Sequence, residues 1–337
     1  MSNYAYVATR ARSRRSRLLP AEAYNQLLNL EHAEIARYIQ DLEYRREIDR
    51  YGSTLSGADL IETALVDNLA KDIGDFLSFS KGKLRDILHV YAEKYRVDNL
   101  KNIIRGINQN RDRQNLERLV CPINDSDKDL YSKLYDSKTV EDVISSLEGT
   151  SYYSPLKKAL ESRNSDSLQP LEDTLDLIYY RNLVSNQPSG GADVEVYRNF
   201  VQLKVDIANI KTLLRMRHRG IGSHDELLIS GGTLTTDLLA STQSLEDLLS
   251  SLEGTKYFEL LEPHLKPDSV DLNSCVHSLE EYMAKKTKRF SYLYPLSVLP
   301  VLDYLLKKER EVYNLRAIVR GKQAGLANDI IEELVVV

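Results

Sequence analysis

The chain has 337 residues, 42% hydrophobic and 28% charged, with a formal net charge of −5, enough length for two or three domains with cores of their own. No apolar run approaches the roughly 20 residues that span a bilayer as a helix, and the N-terminus lacks the apolar centre of a signal peptide, so a cytoplasmic start is expected. A weakly acidic total argues against general nucleic-acid binding, which needs an excess of cations.

In chain order, Tyr4 to Leu19 carries Arg10, Arg12, Arg14, Arg15 and Arg17 among small and apolar residues. Tyr4, Tyr6, Val7, Leu18 and Leu19 mark it as a packed helix with a solvated basic face rather than a free arm. Pro20-Ala-Glu opens the next helix, as Pro does in a first turn. From Lys81 to Arg118 ten Lys/Arg face five Asp/Glu, and 204–219 and 307–322 also lean basic. Basic helices on an acidic whole suit a partner with local acidic patches.

Within the first basic segment lies Asp98-Asn99-Leu100-Lys101-Asn102-Ile103-Ile104-Arg105. It returns as Ala208-Asn209-Ile210-Lys211-Thr212-Leu213-Leu214-Arg215 and again as Tyr313-Asn314-Leu315-Arg316-Ala317-Ile318-Val319-Arg320, after 110 and 105 positions. That period is one small domain. On a helix, Leu100, Ile103, Ile104 and Ile107 follow the i, i+3, i+4, i+7 rule and form one apolar stripe. Lys101 and Arg105 sit one turn apart on one flank of it, with Asn99 on the other. Lys211/Arg215 and Arg316/Arg320 repeat the pair.

A second recurrence matches Thr139–Thr150 to Ser244–Thr255 at an offset of 105, with eight of twelve positions identical. Thr139 or Ser244 caps a short helix, the Asp three residues on completes a capping box, and Gly149 or Gly254 ends it. Carried back another 105, the pattern reaches Glu34 to Tyr44, the most diverged copy, where Leu42-Glu43 stands for Leu147-Glu148. A third recurrence joins Leu60–Leu65, Leu171–Leu175 and Cys275–Leu279, followed at matching places by Lys71, Arg181 and Lys285. The 21 tyrosines, among them Tyr179, Tyr180, Tyr282 and Tyr304, fall mostly on helices as core aromatics. Linkers are expected at 110–128, at Ser185–Gly191, at Gly220–Ser223 and at Ser230–Gly232, and no strand pattern stands out.

These repeats predict an all-α chain of three similar helical domains, 1–115, 116–222 and 223–337, around a pseudo-threefold axis, with the last helix of each overlapping the next. Tyr6–Arg12 also resembles Lys101–Ile107, so the copies can stack openly or close as a ring; three units of about 105 residues are long for a solenoid.

Chemistry is not written into the chain. It holds no phosphate-binding glycine loop, H-E-x-x-H or G-x-S-x-G pattern. His32, His89, His218, His224, His264 and His277 are scattered, and the two cysteines, Cys121 and Cys275, have no metal-ligand spacing and read as small buried hydrophobes. No catalytic, cofactor or metal site is expected.

Tyr4–Arg12 with Ser16–Pro20, then Val97–Arg105, Asp206–Arg215 and Glu311–Arg320, closely resemble the C subunit of A-type ATP synthases, whose eukaryotic counterpart is the d subunit of the vacuolar ATPase. The likeness covers the whole chain and its triple repeat. It implies a funnel with a central socket, without an active site or nucleotide site. Such a socket would receive the central-shaft subunits of the soluble motor and sit on the membrane rotor ring. It also implies a peripheral place on the cytoplasmic face of the cell membrane, no cofactor, no nucleic-acid partner and no direct insertion into the bilayer. The chain departs from its own pattern at one position, since Asp206 and Glu311 precede the motif asparagine by three residues where the first copy has Arg96.

The expected shaft contacts are Asn99, Asn209 and Asn314 with the six cations Lys101, Arg105, Lys211, Arg215, Arg316 and Arg320. The competing expectation pairs those cations inside their own domains, with Glu43, Glu148 and Glu253. Two other functions remain open on the residues alone: a helical-repeat adaptor binding a partner helix, and an enzyme with a dispersed polar site.

Overall fold

The computed structural model describes residues 3–335 apart from 163–166, 189, 191, 222–224 and 267–268. Ser189, Gly191, Gly222, Ser223 and His224 therefore lie outside the described residues. In chain order the helices are α1 (Tyr4–Arg15), α2 (Ala21–Leu27), α3 (His32–Gln40), α4 (Arg45–Tyr51), α5 (Gly57–Phe79) and α6 (Lys83–Asn108). Next come α7 (Arg113–Leu119), α8 (Asp125–Leu134), α9 (Val140–Ser145), α10 (Tyr153–Glu161), α11 (Gln169–Ser185) and α12 (Ala192–His218). The chain ends with α13 (Thr236–Ala240), α14 (Leu245–Ser251), α15 (Lys256–Leu261), α16 (Leu272–Leu293), α17 (Leu299–Gln323) and α18 (Asn328–Leu334). The fold is all-α, as the repeats predict. Among the described residues the sole sheet is a hairpin, β1 (Leu265–Lys266) with β2 (Ser269–Val270), pairing Leu265 with Val270. Two residues are too few for alternation to register in a sequence.

The chain divides into two compact units, one of Met1–Leu168 with Pro300–Val337 and one of Gln169–Leu299. In the first, α5 and α6 bury long apolar faces, and the motif stripe Leu100, Ile103, Ile104 and Ile107 is buried as expected. Helix α1 packs through Val7, Ala8 and Ala11. Its arginines are anchored as well as solvated. Arg14 meets Asp72 at 2.7 Å and Asp75 at 2.5 Å, Arg15 meets Asp303 at 2.6 Å, and the Arg10 guanidinium lies 4.4 Å over Phe79. In the second unit Ile210, Leu213 and Leu214 of α12 are buried, and α16 contributes Cys275, Leu279 and Met283. Both cysteines are buried and unbridged.

The short capped helices form as their sequences dictate. Thr139 and Ser244 accept from the backbone N–H of Asp142 and Asp247 at 3.1 and 3.0 Å, and each Asp carboxylate accepts from the cap residue's own N–H. The first copy corrects the register read from the sequence. Its capping box is Glu31 with Glu34, the Glu31 N–H donating to Glu34 at 2.8 Å. Glu31 thus stands where Thr139 does, an offset of 108, and buried Ile39, not Leu42, takes the place of Leu147. A carboxylate can accept from N3 much as a hydroxyl does, so the box survived while its letters changed.

Candidate functional site

Each motif asparagine is fixed by the loop or helix that packs against it. Asn99 on α6 donates to the Cys121 carbonyl at 2.8 Å and accepts from the Cys121 N–H at 2.9 Å. Asn209 on α12 treats Ile229 identically, at 2.8 and 2.9 Å. Asn99 also donates to the Tyr131 hydroxyl at 3.2 Å, and a side-chain hydrogen bond links Asn314 with Tyr24. One amide side chain here replaces a strand partner, satisfying both backbone groups of a residue held away from water. All three asparagines are buried. Their polar groups are therefore spent inside the chain, on a loop for Asn99 and Asn209 and on helix α2 for Asn314.

Three residues before each asparagine lies the polar centre of the same arrangement. Asp206 accepts from the N–H groups of Thr233 and Leu234 at 2.9 and 3.1 Å and from the Tyr257 hydroxyl at 3.0 Å. Gly232 is required there, because a Cβ on it would collide with Asp206 Oδ1. Glu311 on α17 accepts from the Leu19 N–H and the Tyr44 hydroxyl, both at 2.6 Å. The Lys308 ammonium donates to the Tyr44 oxygen at 2.7 Å. Tyr44, Tyr152 and Tyr257 stay protonated, since burial and then the facing carboxylate push each phenol's pKa up.

The segment Leu19–Tyr44 thus completes the last long helix, as 121–152 completes α6 and 229–257 completes α12. In the first copy the charge is reversed. Arg96 occupies the acidic position, held by Asp127 at 2.7 Å and Glu93 at 2.8 Å, and Tyr152 donates to Glu93 at 2.7 Å. One acid, Asp127, comes from α8 and the other, Glu93, from α6 itself, one turn before Arg96.

Four of the motif cations line two concave surfaces, Arg316 and Arg320 in the first unit and Lys211 and Arg215 in the second. In the first unit a cavity of about 570 Å³ is lined by Asp59 and Glu62 of α5, Arg111, Asn115 and Leu119 near α7, and Arg316 and Arg320 of α17. Arg316 meets Glu62 at 2.6 Å, Arg320 meets both Glu62 and Asp59, and Arg118 meets Asp59 at 3.0 Å. In the second unit a cavity of about 190 Å³ includes Asp173, Asp176 and Tyr180 of α11 with Lys211 and Arg215 of α12. There Arg215 meets Asp173 at 2.9 Å, and Lys211 meets Glu280 at 2.6 Å.

Arg316, Arg320, Lys211 and Arg215 thus meet acids other than Glu43, Glu148 and Glu253, and only Arg215 meets one, Asp173, within its own sequence repeat, 116–222; Lys211, Arg316 and Arg320 reach acids carried by another repeat. Glu43 instead meets Arg17, at 2.9 Å. The third recurrence held the missed signal, since Glu62-Thr63 and Asp173-Thr174 occupy the same place in it. Lys101 is half-buried and Arg105 exposed on α6. Among the described residues no group of three His, Cys, Asp or Glu could hold a metal ion.

The sequence profile of the family described as "ATP synthase (C/AC39) subunit" matches residues 7–334. The chain belongs to this ATP synthase (C/AC39) subunit family. Among its relatives, the C subunit of the A-type ATP synthase of Haloferax volcanii is 36% identical over 99% of this chain and 98% of its own length. The corresponding C subunits of Methanococcoides burtonii and Archaeoglobus fulgidus are 32% and 33% identical, over 100% and 99% of this chain and 95% and 96% of theirs. The family resemblance carried by the repeated motifs is thereby established. Membership makes this protein one component of an ATP synthase rather than a free-standing enzyme, with partners inside that complex and an association with the cell membrane. Among the described residues no helix is long and apolar enough to cross a membrane.

Proposed function

We propose that this ATP synthase component is a mechanical coupling: a peripheral, cytoplasmic-face socket that grips the rotating central shaft of the soluble motor and rests on the membrane rotor ring. It links ion movement to ATP without chemistry of its own. The socket is built from three similar lobes, 1–115, 116–222 and 223–337, each marked by one asparagine helix.

The observation that carries this reading is the completion of the last helix by the first segment of the chain, through Leu19 and Tyr44 on Glu311. A repeat whose final copy is finished by its beginning suits a closed grip better than an open stack. A coupling that must not slip needs contacts spread around the shaft, and Lys101, Arg105, Lys211, Arg215, Arg316 and Arg320 supply cations from all three copies. Exposed pairs contribute only ~0.2–1 kcal/mol each and are screened by salt. Several of these cations must also exchange an internal acid for one on the shaft. Shape and apolar contact therefore carry most of the grip, while charge sets encounter and register.

The test is binding of the purified shaft proteins to Lys101→Glu/Lys211→Glu. Arg316→Gln is added separately, since a Glu there would repel Glu62. Weaker binding at low salt with unchanged helicity is expected. Unaltered binding removes these cations from the interface, and failure to bind the shaft at all removes the socket.

A further inference from the structure

From Tyr282 to Leu302 the chain holds four cations, Lys285, Lys286, Lys288 and Arg289, and not one Asp or Glu, although its net charge is −5. This stretch forms the end of α16 and the connection that follows. At the end of the helix and just after it comes a run of exposed apolar residues, with Tyr292 and Leu293 each 58% exposed, Tyr294 42% and Leu296 63%. Lys285, Lys288 and Arg289 are exposed on the helical turns just before it, Lys285 meeting the half-buried Glu281 of the preceding turn at 2.6 Å.

The segment is held in one shape. Ser297, buried, donates its hydroxyl to the Tyr294 carbonyl at 2.7 Å and accepts from the Leu299 N–H at 3.2 Å. The Tyr294 N–H closes the helix on Phe290 at 2.8 Å, with the two rings 6.5 Å apart edge to face. Its apolar side chains are thus presented without a large ordering cost on binding.

The corresponding connections of the other copies lack this character. Between α5 and α6 it is Ser80-Lys81-Gly82, and the preceding Phe79 is covered by Arg10. After α11 it is Asn186-Gln187-Pro188-Ser189-Gly190-Gly191. Three copies of one helical plan differ here, so helix pairing does not explain the apolar connection.

We propose that residues 285–296 form a membrane-surface anchor, in which Tyr292, Leu293, Tyr294 and Leu296 enter the headgroup region of an anionic bilayer while Lys285, Lys288 and Arg289 bind its phosphates. Tyrosines and leucines at a tip with a collar of cations behind it match the layers of a lipid interface, apolar below and anionic above. An acidic protein groove would use the collar but leave the four apolar groups in water. A purely apolar groove would leave Lys288 and Arg289 unanswered. The proposal goes beyond the socket reading and does not depend on it, because it concerns lipid and not the shaft. It also means that a chain without a spanning helix touches the bilayer directly.

The experiment is co-sedimentation of the full chain with vesicles of phosphatidylcholine alone and with about one-third phosphatidylglycerol. Binding to the anionic vesicles that falls with added salt is expected. Each cation near an anionic surface changes partition roughly fivefold, so Lys285→Gln/Lys288→Gln/Arg289→Gln should weaken it by about a hundredfold. Tyr292→Ser/Leu293→Ser/Leu296→Ser should abolish it at every salt concentration.

Because Cys121 and Cys275 are buried, Leu296→Cys carries an environment-sensitive fluorophore at one place. Its emission should shift to the blue with anionic vesicles. No binding of the wild-type chain, binding that the tip variants leave unchanged, or a fluorophore indifferent to lipid overturns the proposal. So does loss of rotor-ring binding with lipid binding retained, which would name a protein as the occupant. Shaft binding is measured on the same variants and should be unaffected.

Discussion

Asn209 holds Ile229 by both of its backbone groups, donating to the carbonyl at 2.8 Å and accepting from the N–H at 2.9 Å. Asn99 does the same to Cys121. Truncation of either asparagine leaves a buried donor and acceptor without partners, a cost of about 1–3 kcal/mol for each group left unsatisfied. Asn209→Ala and Asn99→Ala should therefore lower the urea midpoint by a clear margin with the slope unchanged. A loss below about 0.5 kcal/mol, the scale of an ordinary surface substitution, would contradict the clamp.

Gly232 lets Asp206 reach the Thr233 and Leu234 amides. Gly232→Ala forces a Cβ against Asp206 Oδ1 and should cost about 1–3 kcal/mol, as overpacking does. Gly254→Ala is the comparison. Its φ of +75° is strained for alanine but nothing lies within 4 Å of the new methyl, so its cost should be nearer 1 kcal/mol. Thermal melts of the two variants distinguish crowding from backbone strain.

At Arg96 the chain breaks its own pattern, and restoring the pattern should not help. Arg96→Met leaves the buried Asp127 without its cation, about 3–5 kcal/mol by the measure of broken buried pairs. Arg96→Asp copies the acid found at Asp206 and Glu311, yet sets a third carboxylate beside Glu93 and Asp127 and should be the more damaging. If Arg96→Asp proved the milder in chemical denaturation, the reversed network would be the wrong description.

Glu62 and its two arginines should respond asymmetrically. Glu62 is 3% exposed, whereas Arg316 and Arg320 are 38% and 40% exposed. Glu62→Gln leaves Arg316 to water and Arg320 with Asp59 at 3.1 Å, and should cost only about 1 kcal/mol. Arg316→Met/Arg320→Met strands a buried carboxylate and should cost about 3–5 kcal/mol. Equal losses in denaturation would mean that the carboxylate is more hydrated than its burial indicates.

The thiols give a chemical test of the core. Burial, then the charge of Asp271, pushes Cys275 up to about 11, and burial raises Cys121 too. Neither is appreciably thiolate at pH 8, so both should resist iodoacetamide in the native chain and react quickly in denaturant. Prompt native labelling of either would place it at the surface.

Much of this was legible in the chain itself, for identifiable reasons. The apolar stripe Leu100, Ile103, Ile104, Ile107 obeys a local periodicity, and the boxes at Thr139 and Ser244 are contacts across three residues, so both can be read without a fold. The first-copy box was misread by three positions because Glu31 and Glu34 replace Thr139 and Asp142, and letter identity failed where capping geometry persisted. The asparagines were visible as a repeated letter but not as clamps, because Cys121 and Ile229 lie 22 and 20 residues downstream. The partners of Arg316 and Arg320 were missed for the same reason, being more than 250 residues away at Glu62.

The order of residues by itself determined the helical class, the threefold recurrence and the family, because each depends on spacing along the chain. Only the tertiary structure decided which charges answer which, and that the segment beginning at Leu19 finishes the helix that begins at Leu299. Those are meetings between groups far apart in sequence, whose cost in chain entropy is offset only when the whole unit packs.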